Sequence, residues 1–383
     1  MNVTNILGMN ITTKLDQEIW HNMQQPGAYE WWYFDAEDKA TGISFVLIWF
    51  SGFPFSPYYT SHYEKWKRSK KAPPLPANYS GFSFQLYEYG SEILNFIREG
   101  SQELFESSGS DIGVRFENNR FTYDALKDEY VLDIDFLFPV RKKKVTAALR
   151  FKPSQRIRYE KKDANNADNV AQHQWLLCVP KAEVTGTIRI VETQHDSVRT
   201  LLINARGYHD HNLGTMPMQE YISQWYWGRA FSERYNLIYY MIFFKNNNYN
   251  PLTLILLQDN TDENVIVYDS LDFKENQLKR GLFAPLHSMS ITLDNDAIRL
   301  HIHHHKVLDA GPFYLRFGSN ITFERKNKEA EEITGISEFL NPQRLQSKAM
   351  RFFTKSRIWR DGTQSIMYSA YNTFKSALDW NNR

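Results

Sequence analysis

Residues 30–35 read EWWYFD, and far downstream residues 224–229 read QWYWGR. Each stretch is followed by a short polar turn and then by a very apolar run, Ile43–Phe50 in the first case and Leu237–Phe244 in the second. Aromatic and β-branched residues at this density favour strands. The repeated order of aromatic strand, turn and apolar strand predicts one hairpin used twice, and therefore two similar domains.

Length and composition agree with two soluble domains. The chain has 383 residues, more than a single domain usually holds. Its hydrophobic (42%) and charged (23%) fractions are near average, whereas its aromatic fraction (15%) is high. Lys plus Arg (45) nearly balances Asp plus Glu (44), so no global field draws the chain to nucleic acid. Cys178 is the only cysteine and lies in an apolar stretch, which predicts a buried, inert thiol.

Short strand-like runs continue along the chain, with turn residues between many of them. They are Phe82–Tyr89, Tyr130–Phe138, Lys144–Phe151, Val184–Val191, Leu252–Leu257, Val265–Tyr268 and Ile298–His304. This pattern predicts an all-β protein built from antiparallel strands, in barrels or sandwiches.

Two charged stretches interrupt the strands. Lys65–Pro76 is basic and rich in proline, and Tyr159–Asn169 is charged and rich in asparagine. Both predict loops. The first is either a passive surface loop or a lid near the mouth of a barrel.

Near the C-terminus the spacing of apolar residues and the charge of the sequence change. The spacing of apolar residues predicts helices at Gln343–Arg360 and Thr363–Trp380, and residues 341–383 hold eight basic residues against two acidic ones. Such a basic amphipathic tail either packs on its own barrel or lies on an anionic membrane surface. Because no secretory signal or membrane-spanning run is evident, we expect a cytoplasmic protein, with peripheral membrane contact through the tail as the alternative.

The sharpest polar constellation is His209-Asp210-His211. On a regular strand the two histidines would share one face and Asp210 the other, whereas a turn, allowed by the bracketing Gly207 and Gly214, would bring Asp210 onto an imidazole. Histidine supplies an acid or base near neutral pH, and a carboxylate neighbour raises its pKa and orients it. We predict acid/base catalysis. A structural cluster and a metal site are the alternatives, although no third metal ligand is visible nearby.

A second histidine cluster comprises His301, His303, His304 and His305. On a strand three of them would face one side, but Ile302 is the only strongly apolar residue within the run. A solvated strand is therefore favoured over zinc. We predict no metal in the protein.

The aromatic residues at 31–33 and 225–227 alternate in direction along their strands. They are either core or the lining of a long apolar cavity whose ring faces stabilise a transient carbocation. Glu30 and Arg229 are predicted to form a buried pair between the two segments. Phosphate-loop, dinucleotide and nucleophile-elbow signatures are missing from the sequence, so we predict no cofactor.

On residues 30–35, 207–212 and 225–229, and more weakly on 335–338, the chain resembles the carotenoid 1,2-hydratase (hydroxyneurosporene synthase) family. Relatives of that family include AttH-like proteins and the fungal lipocalin-like Diels-Alderases. The resemblance covers about residues 26–345. It implies two tandem lipocalin-like β-barrels, here residues 1–215 and 216–340, followed by the helical tail at 341–383.

The resemblance also implies a cofactor-free hydratase or cyclase/isomerase acting on a hydrophobic isoprenoid or polyene. In such a hydratase an acid protonates an alkene and water traps the cation. His211 or His209, oriented by Asp210, would be that acid, with help from Tyr239 or Tyr240. The implied substrate-binding residues are Trp31, Tyr33, Tyr208, Asn212, Trp225, Trp227 and Arg229.

One position departs from the family pattern. The hydratases usually carry tryptophan after the His-Asp-His-Asn run, and this chain carries Leu213. Losing an indole beside the expected acid favours another substrate or reaction, such as a pericyclase that works by preorganising its substrate. A non-catalytic carrier of a lipophilic ligand and a protein without a defined pocket are the alternatives from other classes.

Overall fold

The computed structural model describes residues 9–161, 173–194, 197–245, 250–261, 264–281, 284–362 and 365–381, with side chains to residue 373. Over these residues nearly all regular structure is β, in two sheets that each curl into a half-barrel. The prediction of an all-β fold is confirmed. From residue 162 onward, the loop predicted at Tyr159–Asn169 lies outside the described residues.

The larger sheet has 14 strands among the described residues. They are β1 (Met9–Thr12), β2 (Tyr29–Asp38), β3 (Ile43–Ser51), β4 (Ser80–Glu88), β5 (Ser91–Gly100), β6 (Phe105–Glu106), β7 (Gly113–Phe116), β8 (Asn119–Asp124), β9 (Glu129–Phe138), β10 (Lys143–Gln155), β11 (Glu160–Lys161), β12 (His173–Glu192), β13 (Ser197–Gly214) and β23 (Ile358–Trp359). Their order is β23-β5-β4-β3-β2-β13-β12-β10-β9-β8-β7-β6, with β1 paired to β11 and β12. Strand β13 therefore lies in the middle, between β2 and β12.

The smaller sheet has nine strands among the described residues. They are β14 (Ile222–Phe231), β15 (Tyr235–Phe244), β16 (Leu252–Asp259), β17 (Val265–Asp269), β18 (Asp272–Arg280), β19 (Leu286–Asp294), β20 (Ile298–Ala310), β21 (Tyr314–Arg325) and β22 (Glu331–Leu340). Their order is β17-β16-β15-β14-β22-β21-β20-β19-β18. The hairpin predicted in each half is present, as β2-β3 and as β14-β15.

Contacts divide the chain into two compact units. The 14-stranded unit takes the described residues within 10–161, 173–217 and 351–381, and the nine-stranded unit takes the described residues within 218–350. The domain boundaries expected after residues 215 and 340 stay a prediction.

The interior of the 14-stranded sheet is strongly aromatic. Trp32 and Phe34 of β2, Trp49 of β3, Phe121 of β8 and Tyr130 of β9 are all fully buried there. Each such ring removes roughly 150–250 Å² from water, which makes this cluster the main stabilising feature of the unit. Alternation along β2 puts Glu30 on the same inward face as these two aromatic residues.

The helices are few: α1 (Pro57–Ser69), α2 (Met218–Tyr221), α3 (Lys348–Thr354) and α4 (Ile366–Asn381). Short 3₁₀ helices lie at Leu15–Gln17, Pro76–Tyr79, Gln102–Leu104, Pro342–Gln346 and Lys355–Arg357. No helix among the described residues has the length and apolarity needed to cross a membrane.

The loop predicted at Lys65–Pro76 is wrong in its first half, because α1 continues to Ser69. The Ser56 hydroxyl caps the helix by accepting hydrogen bonds from the backbone N–H of Tyr58 and Tyr59, and proline occupies the first helical position. The helix ends where Lys70 adopts the left-handed conformation, at φ 57°. The loop was predicted from the charge and proline content of residues 65–76, which do not include these helix signals.

The helix predicted at Gln343–Arg360 is also wrong in extent. The segment breaks into two 3₁₀ turns, the short α3 and strand β23. Strand β23 pairs in parallel with β5, Ile358 is buried, and the Arg360 guanidinium contacts the buried carboxylate of Glu99. Tertiary pairing thus overrides the helical spacing. The helix predicted at Thr363–Trp380 forms as α4, and its Tyr368 is buried in the core of the 14-stranded unit.

Close strand contact makes one glycine of the nine-stranded sheet critical. A Cβ at Gly335 would lie 2.0 Å from the backbone oxygen of Arg229 on the neighbouring strand. We expect Gly335→Ala to lower the free energy of unfolding by about 3 kcal/mol, because backbone cannot move aside cheaply. Gly318→Ala is the matched control, since the nearest atom to its Cβ would belong to the exposed His305 side chain, at 3.1 Å, and no backbone atom would lie closer. Urea unfolding of both variants is the measurement, and equal small losses would contradict the prediction.

Candidate active site

The His209-Asp210-His211 segment lies on a regular strand. In the register of β13 with β2, His209 is opposite Phe34 and His211 is opposite Trp32. Both histidines are completely buried on the inward face. Phe34 stacks on the His209 imidazole with ring centroids 3.7 Å apart, and Trp32 stacks on His211 at 4.5 Å.

The two bracketing glycines belong to this strand and form no turn. A Cβ at Gly207 would lie 2.8 Å from the backbone oxygen of Asp35, and one at Gly214 would lie 2.2 Å from the Tyr29 ring. They permit close packing, and the irregular backbone that they were expected to allow is absent at these positions.

Asp210 points to the opposite face of β13, so the interpretation that it orients an imidazole is corrected. Its Oδ2 accepts hydrogen bonds from Tyr208 Oη (2.7 Å) and Trp175 Nε1 (2.9 Å), and its Oδ1 accepts one from Asn212 Nδ2 (2.9 Å). Burial raises the pKa of Tyr208 well above its usual value, which keeps the phenol protonated as a donor. Asp210 therefore belongs to a hydrogen-bond network with Tyr208, Trp175 and Asn212 that is separate from the two histidines.

The carboxylate that meets His211 is Glu30. Its Oε1 accepts from His211 Nε2 at 2.9 Å and from His21 Nδ1 at 2.8 Å, and the His21 backbone N–H adds a further bond. Glu30 thus has two histidine partners within its own unit, and its predicted pairing with Arg229 stays a prediction. Glu30 lies diagonally across from His211, because Leu213 is its direct neighbour on β13.

The pKa values of Glu30 and His211 are both lowered. Burial raises the pKa of Glu30, but the hydrogen bonds and charges of His211 and His21 outweigh it and hold the pKa below 4.5. Burial lowers the pKa of His211 below 6.5 and outweighs the opposing effect of Glu30. At neutral pH the group is thus a carboxylate and a neutral imidazole whose Nε2–H is donated to it.

The other nitrogen of His211 is the notable atom of the site. His211 Nδ1 is buried and has no hydrogen-bond partner among the described residues. With Nε2 protonated, Nδ1 carries a lone pair. A buried acceptor left unpaired is costly, so its retention points to a role in binding or proton transfer.

His209 has a different carboxylate partner, Glu18. Its Nε2 lies 2.5 Å from Glu18 Oε1, and its Nδ1 lies 2.9 Å from the backbone oxygen of Tyr33. Glu18 Oε2 accepts a hydrogen bond from Tyr130 Oη at 2.6 Å. Glu18, His209 and Tyr130 are all fully buried.

Glu18 and His21 are the site residues that sequence reasoning missed. They lie in the segment before β2, where neither periodicity nor a motif marks them. Only the packing of this segment brings them to the histidines: the Trp32 indole donates to the Glu18 backbone oxygen, and the Trp20 indole donates to Ser51.

Among the described residues, two sets of three bring donor atoms within 4.8 Å and are geometrically able to hold a metal: His21, Glu30 and His211, and Glu18, Cys178 and His209. The first set supplies the third ligand that the sequence did not show. Its donor atoms, however, are already joined by N–H···O hydrogen bonds. In the second set burial raises the pKa of the Cys178 thiol well above its usual value, which opposes the thiolate that metals bind. We assign no metal to either set.

The remaining predicted site residues separate by unit. In the 14-stranded unit Trp31 stacks on Tyr29, and Tyr33 donates to Asp35 on the outward face of β2. The predicted residues of the nine-stranded unit are all buried; they are Trp225, Trp227, Arg229, Tyr239 and Tyr240. There the Arg229 guanidinium lies over the Phe231 ring, and burial raises the pKa of Tyr239, whose hydroxyl bonds Ser337. Catalytic or binding roles for these residues stay predictions.

The second histidine cluster behaves as a solvated strand. His301, His303 and His305 are exposed, whereas His304 is buried against Phe317.

The chain is similar to known proteins in sequence. The family model for the carotenoid hydratase CrtC matches residues 47–366. A hydroxyneurosporene dehydrogenase of Chlorobaculum tepidum is 50% identical over 372 residues, covering 97% of each chain. An acyclic carotenoid 1,2-hydratase of Thiocapsa roseopersicina is 27% identical over 210 residues, covering 54% of this chain and 45% of that protein.

Solved structures show the same fold at low sequence identity. The crystal structure of CghA with Sch210972 has a TM-score of 0.57 at 13% identity, and the match covers 87% of this chain and 98% of that one. A Nitrosomonas europaea protein provisionally assigned to AttH has a TM-score of 0.56 at 14% identity, covering 85% and 94%.

Proposed function

This chain belongs to the carotenoid hydratase CrtC family, and from that premise we propose that it adds water across a terminal double bond of an acyclic carotenoid. The names of the hydratase relatives support the reaction and the substrate class. The observation that carries the chemistry is the buried lone pair of His211 Nδ1, with Nε2–H held by Glu30.

In this proposal His211 is the general base. As the oxygen of a water molecule forms a bond to the substrate carbon, Nδ1 takes the proton that the water loses. The carboxylate of Glu30 stabilises the imidazolium that results, because it already accepts the Nε2–H. Asp210 has no part in this step, since it lies on the other face of β13.

Hydration also needs an acid, and the reaction passes through a cation. A proton adds to one alkene carbon, the π electron pair becomes the new C–H bond, and the other carbon is left cationic. The faces of buried rings such as Trp32, stacked on His211, suit a transient carbocation. His209 is a second fully buried histidine on the same face of β13 as His211.

The test is product analysis by mass spectrometry. Wild-type and His211→Gln protein are incubated with acyclic carotenoids, shorter polyprenyl compounds and linear polyenes. We expect wild type to add one water to an acyclic carotenoid, and the variant to be slower by about 10²–10⁴-fold, the usual contribution of a general base. His303→Gln, which changes an exposed histidine, is the matched control.

Other products would replace the proposal. An isobaric product of changed retention time would indicate cyclisation or isomerisation, in keeping with Leu213 at the position where the hydratases usually carry tryptophan. Loss of two hydrogens would match the name of the Chlorobaculum tepidum relative. Ligand that is bound and unchanged would make the protein a carrier.

A further inference from the structure

A second buried histidine, His209, lies two residues from the general base His211, and it contacts the buried carboxyl group of Glu18. We propose that Glu18 and His209 together hold the proton that adds to the double bond, so that Glu18 is a further catalytic residue. This inference rests on the proposed hydration. It assigns the acid of the reaction, whereas His211 is the base.

The hydrogen bonds of His209 require one proton to be shared between the side chains of Glu18 and His209. The backbone oxygen of Tyr33 only accepts, so His209 Nδ1, 2.9 Å away, must carry a hydrogen. At 2.5 Å, the contact from Nε2 to Glu18 Oε1 also needs a hydrogen, since a bare nitrogen and a bare carboxylate oxygen would repel each other. Either Glu18 is a neutral acid or His209 is an imidazolium, and the proton count is the same.

The surroundings suit a group that gives this proton up. Glu18 and His209 are fully buried, and as a pair they carry no net charge, which makes their burial tolerable. The Phe34 ring lies flat against the imidazole. Tyr130 Oη donates to Glu18 Oε2, and this bond remains to stabilise the carboxylate after the proton has left.

The position of the pair fits a two-group mechanism. His209 and His211 are on the same face of β13, so their Cα atoms are about 7 Å apart at the usual rise of a strand. The pair gives a proton to one alkene carbon, and the π electrons form the C–H bond. Water forms the C–O bond at the other carbon and loses its proton to His211 Nδ1. Return of that proton from His211 to the pair restores both groups, and one water has been consumed.

A purely structural ion pair is the competing explanation, because the same contacts fasten the segment around Glu18 to the sheet. Glu18→Gln separates the two. The amide keeps the shape, donates to His209 Nε2 and accepts from Tyr130, but it holds no acidic proton. We expect hydration to fall at least about 10²-fold, while carotenoid binding and the melting temperature change little.

The matched control is Glu99→Gln, which changes another fully buried carboxylate of the same unit, the partner of Arg360. We expect this variant to lose stability and keep its rate. If Glu18→Gln hydrates within a few-fold of wild type, the pair is only structural and the inference is wrong. If Glu18→Gln fails to fold, Tyr130→Phe takes its place: a lower rate supports the acid role, and an unchanged rate contradicts it.

A direct measurement does not depend on turnover. Infrared spectroscopy detects the carbonyl band of a neutral Glu18, and ¹⁵N NMR detects a His209 with both ring nitrogens protonated. One of these signals must be present, and the absence of both overturns the inference. A wild type that does not hydrate defeats the proposed function, while active Glu18→Gln beside inactive His211→Gln defeats only the assignment of the acid.

Discussion

At pH 4 the protein is expected to be less stable than at pH 8 by about 3 kcal/mol for each of two buried histidines, His304 and His173. Burial lowers the pKa of both imidazoles from 6.5 to about 3. In the unfolded chain both bind protons below pH 6.5, whereas in the fold they stay neutral until about pH 3. Acid therefore favours the unfolded state throughout this window, and above it the effect vanishes.

His211 of the candidate active site also makes the protein less stable in acid. The lowered pKa of His211 acts as for His304. The lowered pKa of Glu30 contributes stability that is present above 4.5 and lost as the pH falls through its folded value. The shifts of His211 and Glu30 therefore both lower stability in acid.

His304→Phe isolates one part of the effect. His304 stacks on Phe317 at 4.3 Å, and its Nε2 has no partner among the described residues. Phenylalanine keeps the stack and cannot be protonated, and Ser319, which bonds Nδ1, still has Ser337. We expect the variant to lose about 3 kcal/mol less than wild type between pH 8 and pH 4.

Urea unfolding at pH 8, 6 and 4 is the measurement. His303→Gln, one residue away and exposed, should follow the wild-type pH dependence. Parallel curves for wild type and His304→Phe would show that this imidazole is not the neutral, buried group described.

The second large effect is on catalysis. Glu30→Gln is expected to lower hydration by about 10²–10⁴-fold while the protein stays folded, because the amide supplies no charge for the imidazolium. Its NH₂ group also favours the tautomer of His211 in which Nε2 accepts and Nδ1 carries the hydrogen. That tautomer removes the lone pair from the position where water must be deprotonated.

Two further variants test whether the loss of rate is specific to Glu30. Asp35→Asn changes another buried carboxylate of β2 on the outward face, bonded to Tyr33, and should leave the rate nearly unchanged. His21→Gln should cost less than Glu30→Gln, since His21 is 26% exposed and its loss leaves the Glu30–His211 bond intact. Rates are compared under saturating substrate, and a Glu30→Gln rate like that of Asp35→Asn would contradict the assigned role.

The sequence predicted the repeated hairpins and the histidine segment, because strand patterns and turn residues are local signals. It did not predict the partners of the histidines. On a strand, Asp210 must face away from His209 and His211, and the choice between strand and turn depends on pairing with β2. Glu30 becomes a partner only through the register of β13, and Glu18 and His21 only through the packing of an irregular segment. These relations are long-range and leave no periodic trace.

Strand β23 has a consequence for the synthesis of the protein. It pairs with β5 at two positions, Ile97 and Arg98, whose backbone groups would otherwise be open to pairing with another chain. On the ribosome, β5 emerges long before residues 358–359 do. These two positions of the nascent chain therefore wait for their partner until residues 358–359 have been made.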